Sequence, residues 1–195
     1  MNKKPNLIVD VDGVLLDPIN GFIKWFFVNF PDVDLFRVLK NNKNIIDSCI
    51  NAFWNSENFT KIPARKNAKP AINYLKTYYN IDVVSNCGND NRIKECRIQN
   101  LENIFGKDAF RNIYLLPFRQ PKKEVYSLYK GNAFVIDDEL PNLLDAVDCN
   151  LEYVWMSYFP VLKSMFYNDY DRSLEYLFKK QNWTETIKFL KEKQH

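Results

Sequence analysis

Two acids stand one residue apart in Leu7-Ile8-Val9-Asp10-Val11-Asp12-Gly13, where an apolar run gives way to a glycine. One carboxylate so placed can attack phosphorus while its neighbour handles a proton, and a tight glycine turn lets backbone groups approach a ligand. The structural alternatives are a turn with Asp caps or a calcium loop. An EF-hand is ruled out, because Val14 and Leu16 occupy positions that would have to supply oxygen ligands.

Three further stretches carry compatible chemistry. Val83-Val84-Ser85-Asn86 ends an apolar run with a hydroxyl and an amide, both good donors to phosphate oxygens, although a serine after a strand is more often an ordinary helix cap. Pro121-Lys122-Lys123-Glu124 puts lysines at a helix start, where a cation opposes the helix dipole and gains only from a nearby anion; a solvated basic turn is the plain alternative. Phe134-Val135-Ile136-Asp137-Asp138-Glu139 again ends an apolar run in adjacent carboxylates, which repel unless a cation compensates. Together with Asp10 they would form a hard, oxygen-rich site suited to magnesium.

Such residues need a frame that gathers them. Apolar, β-branched runs at 6–11, 81–85, 112–116, 133–137 and 151–156 alternate with stretches of helical periodicity at 69–79, 91–103, 122–129 and 140–146, and a last helix is expected from Asn182-Trp183-Thr184-Glu185. Alternating strands and helices predict a parallel sheet, which delivers the C-terminal ends of its strands to one crevice. Residues 18–67 break the alternation. They are helical in pattern and rich in aromatics, and they read as a small cap inserted after the first strand.

The rest of the composition excludes other chemistries. With 195 residues, 46% hydrophobic and 26% charged, the chain suffices for one α/β domain and a modest insertion. The four cysteines form no CxxC pair, so neither a zinc site nor a disulfide framework is indicated; Cys87 and Arg92 are separated by four residues, where a cysteine phosphatase requires five. The single histidine is His195, which argues against histidine-dependent mechanisms. A net charge of +3 made of interspersed signs offers no basic stripe for a nucleic-acid polymer. No apolar run approaches the ~18 residues needed to cross a bilayer, and Asp10 and Asp12 interrupt the stretch that would follow Lys3 and Lys4 in a signal peptide. A cytoplasmic location is expected.

The order acid pair, serine, lysine, acid pair resembles the four motifs of the haloacid dehalogenase superfamily, over nearly the whole chain. The resemblance implies a Rossmann-like, doubly wound α/β core (residues 1–17 and 68–195) with a small helical cap (18–67), and magnesium-dependent phosphoryl transfer to Asp10. It makes Asp12 the acid that protonates the leaving oxygen and then activates water. Ser85 and Asn86 would hold the phosphoryl group. Lys122 fits the family spacing better than Lys123 and would steady the nucleophile, with Lys123 beside the substrate. Asp10, the Asp12 carbonyl, Asp138 and the supporting Asp137 would hold Mg2+. Within the superfamily the chain looks similar to the 5'(3')-deoxyribonucleotidases in its cap exit, Ala52 to Phe59 followed by Ile62-Pro63, in Ile136-Asp137-Asp138, and in Asn182-Trp183. That likeness implies a small phosphorylated substrate, a (deoxy)nucleoside monophosphate, with Trp25 and Trp54 as candidates to stack on its base and Phe26 and Phe53 beside them; packing within the cap is the alternative role for each. The competing readings are a phosphatase for a sugar phosphate or other small metabolite, and a non-catalytic phosphate- or partner-binding protein.

Overall fold

The structure, a computed structural model, describes residues 4–35, 37–38, 42–156, 179–180 and 182–193. His195 lies outside them. Strand β1 (Asn6–Val9) is central, with β2 (Asn80–Asn86) on one side and β4 (Ala133–Asp137) on the other, all parallel. β3 (Asn112–Leu116), β5 (Glu152–Met156) and the two-residue β6 (Lys179–Lys180) complete the order β3-β2-β1-β4-β5-β6. The chain direction along the sheet reverses between β1 and β4. In an open parallel sheet a crevice forms at that switch point, beyond the carboxyl ends of the strands. Leu7, Ile8, Val9, Val83, Val84, Val135 and Ile136 are almost wholly buried, as strands covered on both faces require. β6 was not anticipated, since two lysines give no apolar run to read.

Helices α1 (Pro18–Asn29) and α2 (Lys43–Trp54) and a 3-10 turn (Glu57–Lys61) follow β1 and form the cap. Asp17 accepts from Asn20 N at 2.9 Å and Pro18 occupies the first helical turn, so the cap begins where its residues favour a helix start. The cap's entry and exit are tied together. Asp17 N donates to Pro63 O and Arg65 N to Leu15 O, each at 2.9 Å, and Leu16 bridges Ala64 in antiparallel fashion.

The core helices are α3 (Ala68–Leu75), α4 (Asn91–Phe105), α5 (Lys123–Ser127), α6 (Leu140–Asp148) and α7 (Trp183–Glu192). α3 ends four residues before periodicity predicts. Thr77 Oγ1 bonds Tyr74 O at 2.7 Å, and Tyr78 N and Tyr79 N both turn back to Leu75 O, which carries Tyr79 into the core ahead of β2. α7 starts as expected: Asn182 Oδ1 accepts from Glu185 N, and the Glu185 side chain reaches back to Asn182 Nδ2, both at 3.1 Å. Trp183 is fully buried, and its Nε1 donates to Val14 O at 2.9 Å.

Candidate active site

Asp10 follows β1 directly, and its N–H donates to Ile136 O of β4 at 2.9 Å, so the nucleophile candidate sits at the sheet's switch point. Residues 11–16 fold into a tight turn in which Leu15 N and Leu16 N both donate to Val11 O, with Gly13 at a φ of 80° that favours glycine. That turn brings Asp12 to the same crevice.

The centre is a buried lysine between two carboxylates. Lys122 Nζ donates to Asp10 Oδ1 and to Asp137 Oδ2, each at 2.7 Å, and Lys122 is 1% exposed. Lys122 sits at the cap position of α5, with its N–H held by Asp145 Oδ2 at 2.8 Å. Asp137 is fully committed, because its Oδ1 also accepts from Glu139 N at 2.9 Å and Asn142 Nδ2 at 3.0 Å. Asp138 lies beside it, its backbone carbonyl accepting from Trp155 Nε1 at 3.0 Å.

Asp10, Asp137 and Asp138 each offer a carboxylate oxygen within 4.8 Å of the others, the only such buried group among the described residues. Three buried acids against one lysine leave a negative excess, which is costly to bury without a further cation. Burial pushes the Asp10 carboxyl up to about 7; Lys122 pulls it down, while Asp137 and Asp12 add to the rise. Burial also works against the Lys122 ammonium, but the Asp10 and Asp137 carboxylates outweigh it and hold its pKa well above the ordinary range. The donor set is all oxygen, hard and under-neutralised, and a divalent cation of the magnesium type fits it.

Asp12 has a partner that motif reading missed. Arg97, on α4 and 1% exposed, donates from Nη2 to Asp12 Oδ2 at 2.8 Å. Burial raises the Asp12 pKa and Arg97 opposes that rise. Spacing along a helix shows which face Arg97 occupies, not that a charged side chain there turns inward to an acid 85 residues away.

The crevice, about 800 Å³, is lined by Asp10, Asp12, Ser85, Asn86, Lys122 and Asp138, with Pro18, Ile19 and Trp54 from the cap side and Phe118 and Arg119 from the loop after β3. Ser85 is buried at the end of β2. The placement of three expected residues calls for correction. Lys123 points away from the crevice and pairs with Asp148 at 2.6 Å near the surface, because successive residues at a helix start diverge. Trp25 is buried inside the cap, its ring 5.9 Å from Phe22, 5.8 Å from Phe30 and 5.7 Å from Phe53, so it packs the cap and does not line the crevice. Asn86 lines the crevice, but its amide donates to Pro117 O at 2.7 Å and Gln120 O at 2.9 Å and thereby shapes the loop that carries Phe118. Phe118 is 59% exposed and meets Trp54 edge-on at 6.3 Å. A loop aromatic between turn residues carries no periodicity, which is why the sequence does not reveal it.

No family model matches the chain, and no curated protein matches it significantly. Solved structures do match. A haloacid dehalogenase-like family hydrolase of Streptococcus pneumoniae is 13% identical, with a TM-score of 0.63, over 97% of this chain and 100% of that one. A subfamily IA hydrolase of Geobacter sulfurreducens is 14% identical, with a TM-score of 0.61, over 96% of both chains. A haloacid dehalogenase-type hydrolase of Bacillus subtilis, solved bound to magnesium, is 14% identical with a TM-score of 0.54, over 80% of this chain and 87% of that one. At such identities the likeness is one of architecture, and it agrees with the strand order and the cap placed after β1. The chain therefore has the haloacid dehalogenase-like fold, with its acids gathered where the central strands end.

Proposed function

We propose that this protein is a magnesium-dependent phosphomonoesterase that passes the phosphoryl group through Asp10. The observation that carries the reading is a buried lysine shared by Asp10 and Asp137, with Asp138 alongside in a cluster that a divalent cation would neutralise. Asp10, Asp138 and the backbone carbonyl of Asp12 would hold the ion, while Asp137 supports from behind through Lys122. The magnesium in the Bacillus subtilis structure supports that choice of cation. Bound there, the ion supplies charge that offsets the phosphoryl oxygens.

The chain's own residues then divide the work. An Asp10 carboxylate oxygen bonds to phosphorus as the bond from phosphorus to the ester oxygen breaks, and that oxygen leaves with the electron pair and takes the proton of Asp12. In the second step Asp12 accepts a proton from water as the water oxygen adds to phosphorus. The bond to Asp10 breaks, releasing phosphate and restoring both carboxyl groups. Lys122 steadies Asp10, and Ser85 donates to the phosphoryl oxygens. Alignment and charge neutralisation are the main demands of such a transfer.

For the substrate, the reading is a (deoxy)nucleoside monophosphate. Its support is the pair Trp54 and Phe118, aromatic faces brought from cap and core to the same crevice as the acids. A panel of nucleotides and sugar phosphates, with and without magnesium, tests both levels. Magnesium-dependent release of phosphate, lost in Asp10→Asn, is expected, with nucleotides preferred. Wild-type rates in Asp10→Asn would overturn the nucleophile, and equal rates on nucleotides and sugar phosphates would overturn the substrate class alone.

A further inference from the structure

We propose that Arg97 is the positioning residue for the acid Asp12, and that the cap acts on the chemistry through it; the assignment rests on the phosphomonoesterase reading above. Arg97 belongs to the core helix α4, yet its guanidinium lies 4.3 Å from the ring centroid of Phe59 and 5.9 Å from that of Trp54, both cap residues. The two rings pack on each other at 4.7 Å. The guanidinium thus touches the cap on one side and the Asp12 carboxylate on the other, at 2.8 Å.

The arrangement is costly unless it serves orientation. Nε and Nη1 of Arg97 are buried without a hydrogen-bond partner among the described residues, as is Asp12 Oδ1. A buried polar group left unpaired costs stability, so a pair chosen only for strength would have spent those donors. What the pair does secure is direction. Arg97 holds Oδ2 of an Asp12 side chain that stays a quarter exposed and lines the crevice. Asn100, one helical turn beyond Arg97, donates to Thr60 O at 2.6 Å and Ile62 O at 3.2 Å, which fastens the same cap segment to α4. Phe59 and Trp54 limit the guanidinium's motion in the way a planar cation over an aromatic face is restrained.

A residue that aims a general acid has a signature that a packing residue lacks. Its loss should matter where the leaving oxygen needs a proton and matter little where it does not. The experiment compares kcat/KM of wild type, Arg97→Met and Arg97→Lys on two phosphomonoesters, glycerol phosphate with its poor alkoxide leaving group and 2,4-dinitrophenyl phosphate with a good one. Arg97→Met should lose about 100-fold or more on glycerol phosphate and less than about 5-fold on the dinitrophenyl ester. Arg97→Lys should recover part of the first loss, and Phe59→Leu should show the same selectivity at smaller size. In an Asp12→Asn background Arg97→Met should add no further selective loss. If Arg97→Met fails to fold, the Arg97→Lys ratio decides. Equal losses on both esters in the folded Arg97 variants would overturn the assignment while leaving the phosphatase intact. A wild type that releases phosphate from neither ester nor from any nucleoside monophosphate would overturn the phosphomonoesterase reading and the assignment with it.

Discussion

Lys122 Nζ lies 2.7 Å from Asp10 Oδ1 although 112 residues separate them, and both side chains are buried. A contact of that kind makes the lysine part of the fold as well as of the site. Lys122→Met should abolish turnover and destabilise the protein by about 3–5 kcal/mol, because Asp10 and Asp137 would be left buried without their cation. Lys123→Met, at the neighbouring but exposed position, should keep both activity and stability near wild type. Denaturant titration and a phosphate-release assay on the two variants separate these outcomes.

The adjacent acids of β4's end should respond differently to substitution. Magnesium at about 100 times its Kd should stabilise the wild type by about 2.7 kcal/mol, and Asp138→Asn should remove most of that gain while leaving the metal-free protein almost unchanged. Asp137→Asn should instead lower the metal-free stability by about 1.5–3 kcal/mol, since its carboxylate accepts from Lys122, Glu139 and Asn142. Thermal melts with and without magnesium check both.

Trp25 and Phe118 should respond differently to substitution. Trp25→Leu should cost about 2 kcal/mol or more of stability and lower all activities together, because a cavity replaces a ring wedged among Phe22, Phe30 and Phe53. Phe118→Ala should change stability by less than about 0.5 kcal/mol. It should nonetheless lower kcat/KM for a nucleoside monophosphate by a factor of about 5 to 150, the equivalent of one stacked base at ~1–3 kcal/mol, and spare a sugar phosphate. Paired stability and kinetic measurements on the two variants give the comparison.

Gly88 tests how the Phe118 loop is seated. A Cβ there would stand 2.7 Å from the Phe118 ring, and the backbone has a φ of 88°. Gly88→Ala should destabilise by about 1 kcal/mol or more and weaken nucleotide preference by displacing the ring. In a Phe118→Ala background the clash disappears and only the backbone cost should remain, which a double-mutant cycle in urea can resolve.

The parts legible in the sequence share a physical property: they combine local pattern with fixed chemistry. β3 and β4 appear at the positions that apolar runs predict, and Asp10, Asp12, Ser85, Lys122 and Asp138 line one crevice because parallel strands end on one side of a sheet. What stayed hidden depends on direction out of an element. Lys122 and Lys123 are chemically alike in sequence, and only the path of α5 decides which enters the core. Arg97 reads as one charge among several on a polar helix, and its burial becomes visible only once the cap is folded over it. Trp25 and Trp54 are equivalent in composition, yet one fills the cap and the other borders the crevice.

The bond from Trp183 Nε1 to Val14 O spans 169 residues and steadies the turn that brings Asp12 to the crevice. The indole that props the turn beside Asp10 follows it in the chain by 173 residues. Closing so distant a contact carries a loop-closure cost that local contacts do not. Order in the turn that carries Asp12 thus depends on the docking of α7 and not on the motif alone.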